Sequence, residues 1–166
     1  MELVVTDTNI FIDLYSIGML DVFFELPIVV HTVDFVLNEI NNPQQKEAVS
    51  KFVDLGKLNV HSFNSEVLER VMLLRNSAGG NVSIVDCSVW YLAKENNYVL
   101  LTGDGRLRAK AIQSNVVVKG IIYVFDSLLE CGLINKQEAI DKIHELQKAN
   151  VRLPKNIINE RIEKWT

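Results

Sequence analysis

Cysteine is scarce in this chain, and the two present, Cys87 and Cys131, stand far apart in segments patterned as helices. That spacing excludes a disulfide framework, so two reduced thiols in a cytoplasmic protein are expected. No Cys or His spacing suggests zinc. Long hydrophobic runs are missing too. Nothing approaches the roughly 20 apolar residues that span a bilayer, and Val33 to Ile40 is broken by Asp34, Asn38 and Glu39. The chain opens with Glu2 where a secretory signal would be basic, so neither export nor a membrane is expected. An excess of positive charge is also absent: 17 basic against 21 acidic residues leave a net −4. That excludes a surface gripping nucleic acid on every side, yet leaves room for a basic rim around an acidic centre. Repeats, low-complexity stretches and linkers are lacking.

What is there is an ordinary globular composition, 48% hydrophobic and 23% charged over 166 residues, enough for one domain with a full core. Short apolar runs alternate with helical patterns. Strands are expected at Glu2–Thr6, Ile28–Val30, Leu58–His61, Tyr98–Thr102 and Val116–Val118. Helices fill the intervals, with Thr8 or Asn9 capping the first and Thr32 the one after the second strand. Alternation of this kind predicts a three-layer α/β fold with a parallel sheet of about five strands. Residues 1–166 read as a single domain, with a core over about 2–120 and a helical C-terminal extension over about 121–166.

The first strand organises the rest. An apolar, β-branched run stops at Asp7, which a parallel strand would deliver to the carboxyl edge of the sheet, where open α/β folds place their ligands. Asp7 alone is equally well explained as a helix N-cap. Val33, Val36, Leu37 and Ile40 form an apolar stripe with Asp34 and Glu39 at opposite edges; the helical wheel leaves the choice between those two acids open. Ser83-Ile84-Val85-Asp86 matches a capping box. Asp86 also shares the side of Val89, Trp90 and Ala93, so its carboxylate needs a partner, a proton or a metal. Asp104, between two glycines, follows the fourth strand as Asp7 follows the first. Read alone it is an ordinary turn residue. Like charges gathered at one edge repel unless a cation neutralises them, and an oxygen-only donor set suits Mg²⁺ or Mn²⁺.

Val4-Val5-Thr6-Asp7-Thr8-Asn9, the acid of Phe35-Val36-Leu37-Asn38-Glu39-Ile40, Ser83-Ile84-Val85-Asp86-Cys87 and Leu101-Thr102-Gly103-Asp104-Gly105-Arg106-Leu107 together resemble the PIN domain. That family comprises metal-dependent ribonucleases, including the VapC-type toxins of prokaryotic toxin–antitoxin pairs. The resemblance covers about residues 2–120 and implies a sheet of order 3-2-1-4-5 with helices on both faces. Position by position it implies a catalytic quartet of Asp7, Glu39, Asp86 and Asp104, preferring Glu39 to Asp34. Asp7, Asp86 and Asp104 would be metal ligands, and Asn9, Ser83 and Thr102 supporting polar residues. The implied activity is endoribonucleolytic: water attacks an RNA phosphodiester in line, leaving 5′-phosphate and 3′-hydroxyl ends. The implied partners are RNA, a small antitoxin and a second copy of the chain, with Phe23 and Phe24 a candidate contact surface.

Arg106, Arg108 and Lys110, just past Asp104, are candidate RNA contacts, although one helix cannot aim all three the same way. Trp90 and Tyr91, at helical spacing, are expected to be core. The competing expectation is a PIN-like module without catalysis, its metal site unused. A haloacid-dehalogenase-like phosphatase is disfavoured because Asn9 stands where its second acid belongs. A two-component receiver is disfavoured because no acid pair precedes the first strand.

Overall fold

The computed structural model describes all residues 1–166. Strand β1 (Glu2–Thr6) lies at the centre of a five-stranded sheet. Strands β2 (Ile28–Val33) and β3 (Leu58–His61) extend it on one side, and β4 (Val99–Leu101) and β5 (Val118–Lys119) on the other. Every pairing is parallel and the order is β3-β2-β1-β4-β5, as the resemblance implied. Val5 faces His31 across one ladder and Leu100 across the other. A parallel sheet needs a crossover between strands, and the helices that make the crossovers cover its two faces.

The first helix, α1 (Thr8–Ser16), is capped by Asp7 and not by Thr8 or Asn9. The short α2 (Leu20–Phe23) follows. Strand β2 runs to Val33, three residues past its expected end, because the Thr32 hydroxyl donates to Thr6 O across the ladder at 2.8 Å. Thr32 is therefore a strand residue and not a cap, and α3 (Asp34–Glu39) starts without a side-chain cap. Helix α4 (Pro43–Asp54) opens at its proline and is capped by Asn42, whose Oδ1 accepts from Gln45 N. Helices α5 (Ser65–Ser77) and α6 (Ile84–Asn96) carry the chain from β3 back across to β4. Helix α7 (Gly105–Gln113) then ends at Asn115, which takes the left-handed conformation at φ 65°. Val116 N closes that turn on Ala111 O, which postpones β5 to Val118.

Helices α8 (Ile121–Glu130), α9 (Lys136–Ala149) and α10 (Lys155–Trp165) form the C-terminal extension. They share one core cluster with the sheet, since Val124, Phe125, Leu128, Ile143, Leu146 and Ile158 belong to it together with Val4, Val5 and Leu100. Two polar clasps hold the extension, one to α1 and one between its own helices α8 and α10. Asn150 donates its amide to both oxygens of buried Asp13 in α1, at 3.2 and 3.3 Å. Asp126 accepts from Arg161 at 2.5 Å and from Trp165 Nε1 at 3.1 Å. Phe23 and Phe24 are 0% and 7% exposed, and Phe24 stacks on Phe52 with centroids 4.0 Å apart. They are core residues, which corrects the expectation of a contact surface there.

Candidate active site

All five strands point the same way, so their carboxyl ends share one edge. Asp7 follows β1, Asp104 lies three residues past β4, and α3 leaves the end of β2 toward Glu39. Helix α6 begins at this edge, since it runs back to the start of β4, and so brings Asp86 there in its first turn.

Asp7 is 1% exposed. Its Oδ1 accepts from the Thr8 N–H at 2.7 Å and its Oδ2 from the Thr102 hydroxyl at 2.8 Å. Burial raises its pKa to about 6; the Thr102 and Thr8 hydrogen bonds oppose that rise, and the charges of Glu39 and Asp104 add to it. Asp86 is half-buried and its N–H donates to Ser83 Oγ at 3.0 Å. Its carboxyl is pushed up to about 7, first by burial and then by the charges of Asp7 and Asp104. The Ser83 hydroxyl pulls it down and Glu39 adds a further push. Asp7 and Asp86 thus each feel other acids of the set, although these come from distant parts of the chain.

Asp104 caps α7, its Oδ1 accepting from Leu107 N at 2.9 Å. Its own N–H donates to Thr102 Oγ1 at 3.1 Å. The Thr102 hydroxyl thereby links Asp104 to Asp7, taking one hydrogen bond and giving the other. Glu39, exposed at the end of α3, accepts from Thr8 Oγ1 at 2.6 Å. Capping and clustering are therefore not rival roles for Asp7 and Asp104. Each spends one oxygen on a helix N-terminus and keeps further lone pairs for other work.

Of the residues expected to support the acids, Thr102 does so directly and Ser83 caps the helix that carries Asp86. Asn9 is exposed and bonds to none of them. Thr8 was not anticipated. It contacts both Asp7 and Glu39, and only its place between Asp7 and Asn9 hinted at it. Asp34 is half-buried, with Oδ1 lacking any hydrogen-bond partner, and it is not among the charges acting on Asp7 or Asp86. Arg106 and Arg108 are exposed and Lys110 is half-buried. Arg108 Nη1 lies 4.0 Å from where a side chain on Gly120 would start, a point itself 3.6 Å from Thr102 O. Trp90 is core, donating from Nε1 to Ser114 Oγ at 2.7 Å, and Tyr91 packs edge-on against Phe63.

The chain's four ion pairs join Lys51 to Asp21, Arg70 to Glu66, Lys142 to Glu145 and Arg161 to Asp126. None involves the quartet, so no lysine or arginine neutralises it. A divalent cation fits this charge and these hard oxygen donors. It fits with water completing its shell, because no three His, Cys, Asp or Glu side chains are gathered tightly enough to hold an ion directly. The best-formed cavities lie elsewhere, beside Asn97 and Asn115 and beside Asp126 and Trp165.

This parallel sheet with acids at its carboxyl edge defines a class. A family model described as a PIN domain matches residues 3–166, and the chain belongs to that family. Endoribonuclease Nob1 of Methanocaldococcus jannaschii is 33% identical over 93 residues, covering 56% of this chain and 46% of that protein. The match therefore spans less than half of the relative's length. Among solved structures, VapBC2 from Rickettsia felis bound to a promoter DNA fragment aligns with a TM-score of 0.50 at 16% identity, over 71% of this chain and 98% of that one. PAE2754 from Pyrobaculum aerophilum aligns with a TM-score of 0.51 at 16% identity, over 70% and 90%. These two likenesses concern the fold.

Proposed function

We propose that the chain is an endoribonuclease dependent on Mg²⁺ or Mn²⁺, with Asp7, Glu39, Asp86 and Asp104 as its working acids. One observation carries the reading: burial and the charges of their fellow acids raise the cost of ionising Asp7 and Asp86 at one sheet edge, and no basic side chain pairs with the set. Membership of the PIN family and the partial match to an endoribonuclease support RNA as substrate.

Asp7, Asp86 and Asp104 would hold the cation, some of them through water. When bound, it supplies a lowered water pKa and counter-charge for the phosphate. Thr102 and Thr8 fix the Asp7 carboxylate so that its free lone pairs face the edge. Glu39 keeps Oε1 available while Thr8 holds Oε2, so it can orient the attacking water and take its proton. Arg108, against Gly120 at the end of β5, is the basic residue best placed to meet a flanking phosphate. Asp7→Asn and Asp86→Asn are each expected to abolish Mg²⁺-dependent RNA cleavage, and Glu39→Gln to lower kcat by about 10²–10⁴-fold. Undiminished cleavage by folded Asp7→Asn would overturn the assignment.

The quartet has a second use if the chain is a toxin: a small antitoxin burying the edge would offer it a basic residue. The fold shared with VapBC2 is compatible with that role; a homodimer in the cytoplasm belongs to the same proposal. Co-expression with the product of the adjoining reading frame tests it through stable co-purification and loss of cleavage. The competing reading is a PIN module without catalysis, its metal site unused. Calorimetric titration with Mn²⁺ separates the two. A nuclease binds the ion and loses it in Asp104→Ala, whereas a module that does not use metal gives no saturable heat.

A further inference from the structure

His31 in β2 and His61 at the end of β3 sit on one face of the sheet, two rungs apart, because His31 pairs with Asn59 and Val33 with His61. Their rings converge: His31 Nδ1 and His61 Nε2 are 2.9 Å apart, with ring planes at 45°. Both are half-buried. The N-terminal part of this face is open, since Leu3 of the central strand is 40% exposed and Asn59 is exposed beside them, while Val5 and Val33 farther along it are fully buried. Tyr98 stacks on the His31 ring, centroids 4.6 Å apart and planes within 17° of parallel, and so fixes its orientation. Burial, and for His31 its neighbour's charge, hold both imidazoles below their usual pKa, keeping them in the neutral form that binds metals.

We propose that His31 and His61 form a two-imidazole site for a divalent transition metal of tetragonal preference, Cu²⁺ or Ni²⁺, separate from the acid edge. The spacing selects the metal. Two nitrogens 2.9 Å apart, each about 2.0–2.1 Å from one ion, subtend about 90° at it, the cis angle of a tetragonal shell and less than a tetrahedral site needs. Formation turns each nitrogen's lone pair about 45° away from their mutual hydrogen bond and shifts the shared proton to the other nitrogen of its own ring, so both imidazoles stay neutral. Water fills the remaining positions, as no third His, Cys or carboxylate joins the pair. Bound metal would pin the edge strand β3 to β2. The site does not rest on the nuclease reading.

Binding of Ni²⁺ is measured by calorimetry in excess Mg²⁺, and Cu²⁺ by electron paramagnetic resonance. Variants are His31→Gln, His61→Gln, Asp7→Asn and His144→Gln, the last carrying the change at the chain's remaining histidine. Wild type, Asp7→Asn and His144→Gln are expected to bind one ion alike, with hyperfine structure from two imidazole nitrogens. His31→Gln and His61→Gln each lose at least the roughly tenfold in affinity that removal of a mere supporting contact costs, and show a single imidazole. Metal-free melts establish that those variants are folded. Binding as tight as wild type by His31→Gln or by His61→Gln, or loss of binding in Asp7→Asn, overturns the proposal.

Discussion

Asp7 carries two demands that conflict. As the cap of α1 it satisfies a backbone N–H, and as the most buried acid of the edge it resists ionisation. Its pKa of about 6 stands above the ordinary 3.8, so the folded protein holds this proton where the unfolded chain has lost it. Stability tied to this group is therefore greatest below pH 4, declines as the pH climbs to about 6 and stays low above that. Asp7→Asn keeps an oxygen for Thr8 and removes the charge. In metal-free buffer at pH 8 it should stabilise the fold by up to about 3 kcal/mol, measured by urea denaturation. At pH 4 the gain should vanish. Thr102→Val acts the other way, stranding Asp7 and the Asp104 N–H, and should cost about 1–3 kcal/mol. The acids could be picked out because each follows an apolar run or a cap signature. Glu39 and Asp34 could not be separated by a wheel, which gives angles around a helix but not the neighbour it faces. Thr8 Oγ1 is that neighbour, and it lies thirty-one residues away in the chain.

Strand and helix identities were legible wherever the local pattern and the tertiary environment agree. Leu58–His61 reads as it folds. The reading slipped where a long-range bond moves a boundary. Thr32 resembled a cap because it precedes a helical pattern, but its hydroxyl serves β1 and keeps β2 extended to Val33. Val116 looked like the start of β5 but is drawn back onto α7. The anchoring of α10 was equally invisible, since Asp126 meets Arg161 and Trp165 only in the folded chain. Trp165 is 5% exposed and packs near Phe125, centroids 5.7 Å apart. Trp165→Ala should cost about 3–5 kcal/mol in thermal or urea unfolding. Because the C-terminal helices share the core cluster of the sheet, a single cooperative transition should persist.

Across the molecule, one parallel sheet collects the ends of five strands, and the sequence places acids at or near those ends with no cation to balance them. That surplus also contributes to the net charge of −4 and, on the proposed function, would make the edge a site for cations first. RNA would have to approach through a bound ion and a few residues such as Arg108. Cleavage should fall on acidification through pH 7 to 6 as Asp86 and Asp7 take up protons, and the midpoint should move to lower pH as metal concentration rises.

The most direct measurement is the number of protons released when Mn²⁺ binds at pH 6.5, obtained by calorimetry in two buffers of different ionisation enthalpy. With Asp86 near 7 and Asp7 near 6, the account predicts release of about one proton per site in wild type, and less in Asp86→Asn. Saturable binding with no proton release, or no binding at all, would contradict it.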